Sequence, residues 1–164
     1  MRNDKGFLPV LIMLVMSTLL VNLGIKAQAQ KSHAASTASA VLQQPLYAEY
    51  KGVSLGMTAQ EVRTKLGEPK LLAVKENEVD YFIFSESEAA QIGYDKAMKV
   101  KVISVDYQNG TGAPEPRAVV GGDLQVKENG TLYRITHYDS LGFWVSYSRT
   151  ASPMNIVTIT IQKK

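Results

Sequence analysis

The feature that most constrains this chain is an internal repeat. Val74-Lys75-Glu76-Asn77 returns as Val126-Lys127-Glu128-Asn129 and Tyr81 as Tyr133, both 52 positions on. Tyr94 returns as Tyr147 at 53, and Val102-Ile103-Ser104-Val105 as Ile156-Val157-Thr158-Ile159 at 54. Upstream, Glu61-Val62-Arg63 and Leu66-Gly67 return as Glu115-Pro116-Arg117 and Val120-Gly121, again at 54. Offsets that drift by single residues are what loop insertions leave in a duplicated unit, and such self-similarity governs the fold before any local reading does. The chain reads as an α+β protein of two tandem units, residues 50–110 and 111–164. Each is a helix followed by an antiparallel meander, and the two share a layered sheet with short helices on one face.

Local chemistry fits this division. Thr58 and Glu61 have capping-box spacing, with Met57 before the cap and Val62 inside placed to staple it. Ala59, Val62 and Leu66 share one side of a two-turn helix that Gly67 ends in a left-handed stop, with Pro69 beyond. In the second unit Pro116 suits a first helical turn. Val79 to Ser85, Gln91 to Tyr94 and Lys99 to Tyr107 carry strand patterning. Asn109-Gly110 and Asn129-Gly130 are hairpin-turn signals, which account for both without invoking the Asn-x-Thr glycosylation pattern.

The first 29 residues read as an address. Arg2 and Lys5 precede an apolar stretch, Phe7 to Ile25, that runs into Ala27-Gln28-Ala29, the order of a secretory signal cut after Ala29. Ala38-Ser39-Ala40 is a second such site, and an uncleaved anchor is the alternative, because about 20 apolar residues span a bilayer. Residues 30–49 are rich in Ala, Ser, Gln and Thr up to Gln44 and read as a tether, with His33 solvated in it. The formal charge is +3, of which Arg2, Lys5 and Lys26 against Asp4 supply +2; the rest holds 15 positive and 14 negative residues. That balance gives no nucleic-acid footprint. With zero Cys there is no disulfide, thiolate metal site, cysteine nucleophile or lipid-bearing cysteine. The expectation is an exported chain, periplasmic or extracellular, not lipid-anchored through Cys.

Gly56-Met57-Thr58, Glu61-Val62 and Leu66-Gly67-x-Pro69, followed by a meander, resemble the SmpA/OmlA (BamE-like) family. The tandem arrangement is similar to that of the β-lactamase inhibitor protein family, which shares the unit. BamE-like members have one unit and a lipid-bearing Cys, where this chain has two units and no Cys. The resemblance implies an extracytoplasmic α+β binding protein without catalytic residues, engaging a protein partner in the bacterial cell envelope. It also implies outer-membrane association and assembly or, as the alternative, inhibition of a secreted or periplasmic enzyme by the open face of the sheet.

Alternation locates such a face. With Ile103, Val105, Tyr107, Val157, Ile159 and Ile161 toward the helices, Ser104, Asp106, Thr158 and Thr160 point the other way. Neighbouring strands add Trp144, Tyr138, Arg134, Phe82 and Phe84 as candidate partner-binding residues, aromatics and Arg being the usual interface anchors. A one-residue slip would turn that set inward. No catalytic residue, metal site or cofactor is expected: nucleotide loops, zinc helices and nucleophile elbows are missing. His137-Tyr138-Asp139-Ser140 is too contiguous to converge as a triad. Glu76, Glu78, Asp80, Glu86 and Glu88 lack a calcium-loop pattern and read as a solvated charged edge.

Overall fold

The computed structural model describes residues 44–73 and 78–164; the stretch read as a signal, most of the stretch read as a tether and the first Val-Lys-Glu-Asn copy lie outside the described residues. The first elements form a ribbon, strands β1 (Glu49–Tyr50) and β2 (Val53–Ser54). Lys51 and Gly52 join them, both at positive φ (48° and 77°), as a right-twisted two-residue hairpin demands. The ribbon was not anticipated, because Lys51-Gly52 is not one of the Asn-Gly or Asp-Gly pairs that usually mark such a turn.

Helix α1 (Ala59–Leu66) forms where the capping box requires it. The Thr58 hydroxyl accepts from the Glu61 amide at 3.3 Å, and the Glu61 carboxylate accepts from the Thr58 amide at 2.7 Å. This arrangement satisfies amides that the first turn would otherwise leave unpaired. Ala59 and Val62 are buried, and Leu66 packs against the core. Gly67 ends the helix at φ 85° but ψ −165°. That is the extended positive-φ region essentially reserved to glycine, rather than the left-handed stop expected.

The remaining strands are β3 (Val79–Ile83), β4 (Glu88–Tyr94), β5 (Val100–Tyr107), β6 (Gln125–Val126), β7 (Leu132–Tyr138), β8 (Phe143–Arg149) and β9 (Val157–Lys163). They make one seven-stranded antiparallel sheet in the order β3-β4-β5-β9-β8-β7-β6. A second short helix, α2 (Pro116–Val120), has Pro at its start and Gly121 in left-handed geometry at its end. Asn129-Gly130 does turn the β6–β7 hairpin, with the Asn129 carboxamide accepting from the Thr131 amide. Asn109 and Gly110, also at positive φ, instead lead out of β5 toward α2 and join no strand pair.

The core lies on one face of this sheet. Ile92, Tyr94, Ile103, Val105, Val145, Ile159 and Ile161 are its fully buried centre. Arg63 of α1 reaches this face at Asp80, whose carboxylate accepts from Arg63 Nε and Nη2, both at 2.9 Å, from the Ala73 amide at 2.8 Å and from the Tyr94 hydroxyl at 2.7 Å. From α2, the Val120 carbonyl accepts from the Thr136 hydroxyl at 2.7 Å and from Arg134 Nε at 3.2 Å. Asp80 is 0% exposed. The solvated charged edge expected of the acidic run therefore fails at Asp80, which is the buried acceptor of four hydrogen bonds. It fails in part at Glu88, which takes a hydrogen bond from Tyr50 and an ion pair from Lys51.

Candidate functional site

Strand register lays out the opposite face as three rows that run across the sheet from β3 to β7. The first is Val79, Gly93, Val102, Gln162, Trp144 and His137; the second is Tyr81, Gln91, Ser104, Thr160, Ser146 and Ile135. The third is Ile83, Ala89, Asp106, Thr158, Ser148 and Tyr133. Apart from Gly93, every one of these residues is half-buried or exposed among the described residues. The middle of the face is small and hydroxylic. Ser104 and Thr160 hydroxyls lie 3.3 Å apart, and Thr158 donates to the Asp106 carboxylate at 2.6 Å.

Apart from Trp144 on β8, the large apolar side chains stand on β3 and β7. Ile83 on β3 is 51% exposed and Ile135 on β7 is 46% exposed. Tyr81 neighbours Ile83, and Tyr133 neighbours Ile135, with the Lys127 ammonium 4.1 Å from the centre of the Tyr133 ring. The β3 edge is closed by residues 70 and 71, whose backbone bonds to Tyr81 through the Lys70 amide at 2.7 Å and the Leu71 carbonyl at 2.9 Å. Leu71, highly exposed, thereby extends the second row.

The expected face assignment holds for β5 and β9: Ile103, Val105, Tyr107, Val157, Ile159 and Ile161 are buried, and Ser104, Asp106, Thr158 and Thr160 point away. Among the five candidate anchors, only Trp144 reaches the open face. Phe82 is 2% exposed and Tyr138 is 3% exposed, both in the core. Register is the reason. Phe82 sits opposite Ala90 and Tyr138 opposite Phe143, both inward-facing, which puts Trp144 opposite His137 on the other side. Phe84 is also on the core side, stacked on Phe82 at 6.1 Å and edge-on to Tyr50 at 5.8 Å. Arg134 faces α2, where its guanidinium accounts for the Val120 and Asp123 carbonyls. Tyr81, Ile83, Tyr133, Ile135 and His137, which do line the open face, were missed. Alternation within β3 and β7 was a signal for them, but only register fixes its phase.

The ionisable groups elsewhere have structural explanations. His137 and Tyr138 point to opposite faces, and Asp139 pairs with the Lys164 ammonium. Burial pushes the Tyr50, Tyr94 and Tyr107 hydroxyls far above the ordinary tyrosine range, with the Glu88 carboxylate adding to the shift at Tyr50 and Asp80 at Tyr94. A recess of about 410 Å³ between Ser54–Gly56 and Leu141–Phe143 is mostly apolar, with Lys163 in its wall. Among the described residues no three His, Asp or Glu side chains group as metal ligands, and no helix is long and apolar enough to cross a membrane. Comparison with family models, curated proteins and solved structures finds no match to this chain.

Proposed function

We propose that the chain is an exported, non-catalytic binding protein of the bacterial envelope that engages a protein partner through the open face of its sheet. The supporting observation is the set of three rows itself: a broad, nearly uncharged surface with Trp144, Tyr81 and Tyr133 on it, which no described element buries. Aromatic side chains bury large areas at low rotamer cost, and charge is usually depleted at interface centres. Phe82, Phe84, Tyr138 and Arg134 support this face from behind and are not proposed as contacts.

The same reading takes the molecule as two tandem units, 50–110 and 111–164, with α1 and α2 on one face. Register supports it. Val105 pairs with Ile159, its own equivalent at an offset of 54. Carried outward through the pairings, β3 then maps onto β7 at 52, which keeps Tyr81 with Tyr133 and Ile83 with Ile135. Strand β4 maps onto β8 at 57, so Tyr147 corresponds to Ala90 and not to Tyr94. The two-unit sheet also favours a second reading, a soluble inhibitor of a secreted or periplasmic enzyme.

Crosslinking and pull-down of the chain from its own envelope fraction tests the proposal. A protein captured through the open face, with affinity reduced by about 2 kcal/mol or more in Trp144→Ala, is expected. Co-purification with membrane proteins indicates an assembly role, and a soluble one-to-one complex indicates the inhibitor. Capture that is insensitive to Trp144, Tyr81 and Tyr133 alike removes the face from the model.

A further inference from the structure

The rows of the open face carry a symmetry that says how a partner sits on it. If the offsets above are applied, the second row read from β3 to β7 is equivalent to the third read from β7 to β3: Tyr81 with Tyr133, Ser104 with Thr158 and Ile135 with Ile83. The local twofold axis passes through the Val105–Ile159 pair. Each end of the face thus presents a Tyr–Ile pair, and the middle presents two hydrogen-bonded side-chain pairs, Ser104–Thr160 and Asp106–Thr158. The central equivalence breaks at one place, where Thr160 on one side is matched by Asp106 on the other.

Asp106 is the one carboxylate in the three rows, and the rows contain no Lys or Arg. Thr158 gives it one hydrogen bond, and the Lys127 ammonium on this side sits over the Tyr133 ring, three strand spacings away. A partner that covered it without a cation would trap a charge away from water, which is strongly unfavourable. A polyanion such as nucleic acid would be repelled for the same reason. We propose that the face is a two-ended clamp for an extended segment of a partner protein, with a Lys or Arg on Asp106 and an apolar side chain on each Tyr–Ile pair. This rests on the sheet-face reading above and specifies its ligand. Strands β3 and β7 are five spacings apart, roughly 24 Å at about 4.8 Å each, so an extended chain crosses from one pair to the other in about seven residues. The basic residue falls between the two apolar ones.

The test pans displayed random peptides of about twelve residues, long enough to cross the face, against the full chain. Enriched sequences are then synthesised and titrated by fluorescence anisotropy. Expected are peptides with one Lys or Arg between apolar residues about seven apart, binding at least tenfold more weakly to Asp106→Asn and to each of Tyr81→Ala and Tyr133→Ala. Circular dichroism of each variant confirms that it is folded; Asn keeps the acceptor for Thr158. Peptides that lose affinity in the tyrosine variants but not in Asp106→Asn overturn the basic centre while leaving the sheet face as the binding surface. Peptides indifferent to all three variants, or no enrichment at all, overturn the clamp; the indifferent peptides also tell against the face.

Discussion

Replacing Asp80 with Ala is the sharpest probe of how the first half of the sheet is held together. The substitution strips the acceptor from Arg63 Nε and Nη2, the Ala73 amide and the Tyr94 hydroxyl at once. Four bonds to one carboxylate, all charge-assisted at about 1.5–3 kcal/mol each, set the upper end. Arg63, whose side chain keeps 20% of its surface exposed, recovers part of this by turning to water. Breaking a buried pair from one side generally costs about 3–5 kcal/mol, and that is the expected loss here. Arg63→Ala leaves the carboxylate buried with two donors and falls in the same range. The double variant costs distinctly less than the sum, by about 2 kcal/mol or more, because neither partner is then stranded. Urea unfolding followed through Trp144, the sole tryptophan, reads all three values. A loss below about 1 kcal/mol for Asp80→Ala, or strict additivity, would refute the claim that this network ties α1 to β3 and β4.

Gly93→Ala places a Cβ 2.5 Å from Val102 Cγ1 and should destabilise by about 1–3 kcal/mol, whereas adding Val102→Ala restores most of the loss; no rescue in thermal melts means the clash is not the cause. On the acid side, backbone N–H groups of Thr58 and of Lys99 hold the Glu61 and Asp95 carboxyls below their usual range. Their contribution is present above about pH 4 and lost as pH falls through the folded-state values, so Glu61→Gln should flatten the acid limb of a stability–pH curve; an unchanged limb would contradict the capping role. At the alkaline end, Tyr50, Tyr94 and Tyr107 are pushed up by burial. Their contribution is complete below about pH 10 and declines as unfolded tyrosines ionise. Absorbance at 295 nm should therefore rise together with loss of circular dichroism, and early titration of these tyrosines in an intact fold would contradict their burial.

The parts of the fold legible in the sequence are those decided by neighbours along the chain. The Thr58–Glu61 box, the Pro116 start of α2 and the alternation of β5 and β9 each follow from local chemistry. The face of Phe82 and Tyr138 was not legible, because alternation gives two phases and only cross-strand pairing selects one. Tyr138 and Trp144 show this directly. The tight turn at Asp139–Leu141 pairs Tyr138 with Phe143, and this sends the two large aromatics to opposite sides. Asp80 was hidden for a different reason: a carboxylate in an acidic run looks solvated until the guanidinium 17 residues earlier is seen to fold back on it.

Strand β9, the last of the described strands, lies between β5 and β8 at the middle of the sheet. A growing chain that has reached only Asn155 can form β3-β4-β5 on one side and β6-β7-β8 on the other, but no strand yet joins them. Until β9 arrives, β5 and β8 each expose a bare edge, the condition that invites pairing with other molecules. Closure of the sheet thus waits for β9, and a chaperone or a narrow passage that keeps the polypeptide extended until then would protect it from wrong partners. Fragments ending before Val157 should accumulate as aggregates, whereas a supplied β9 peptide would be drawn into the vacant central slot.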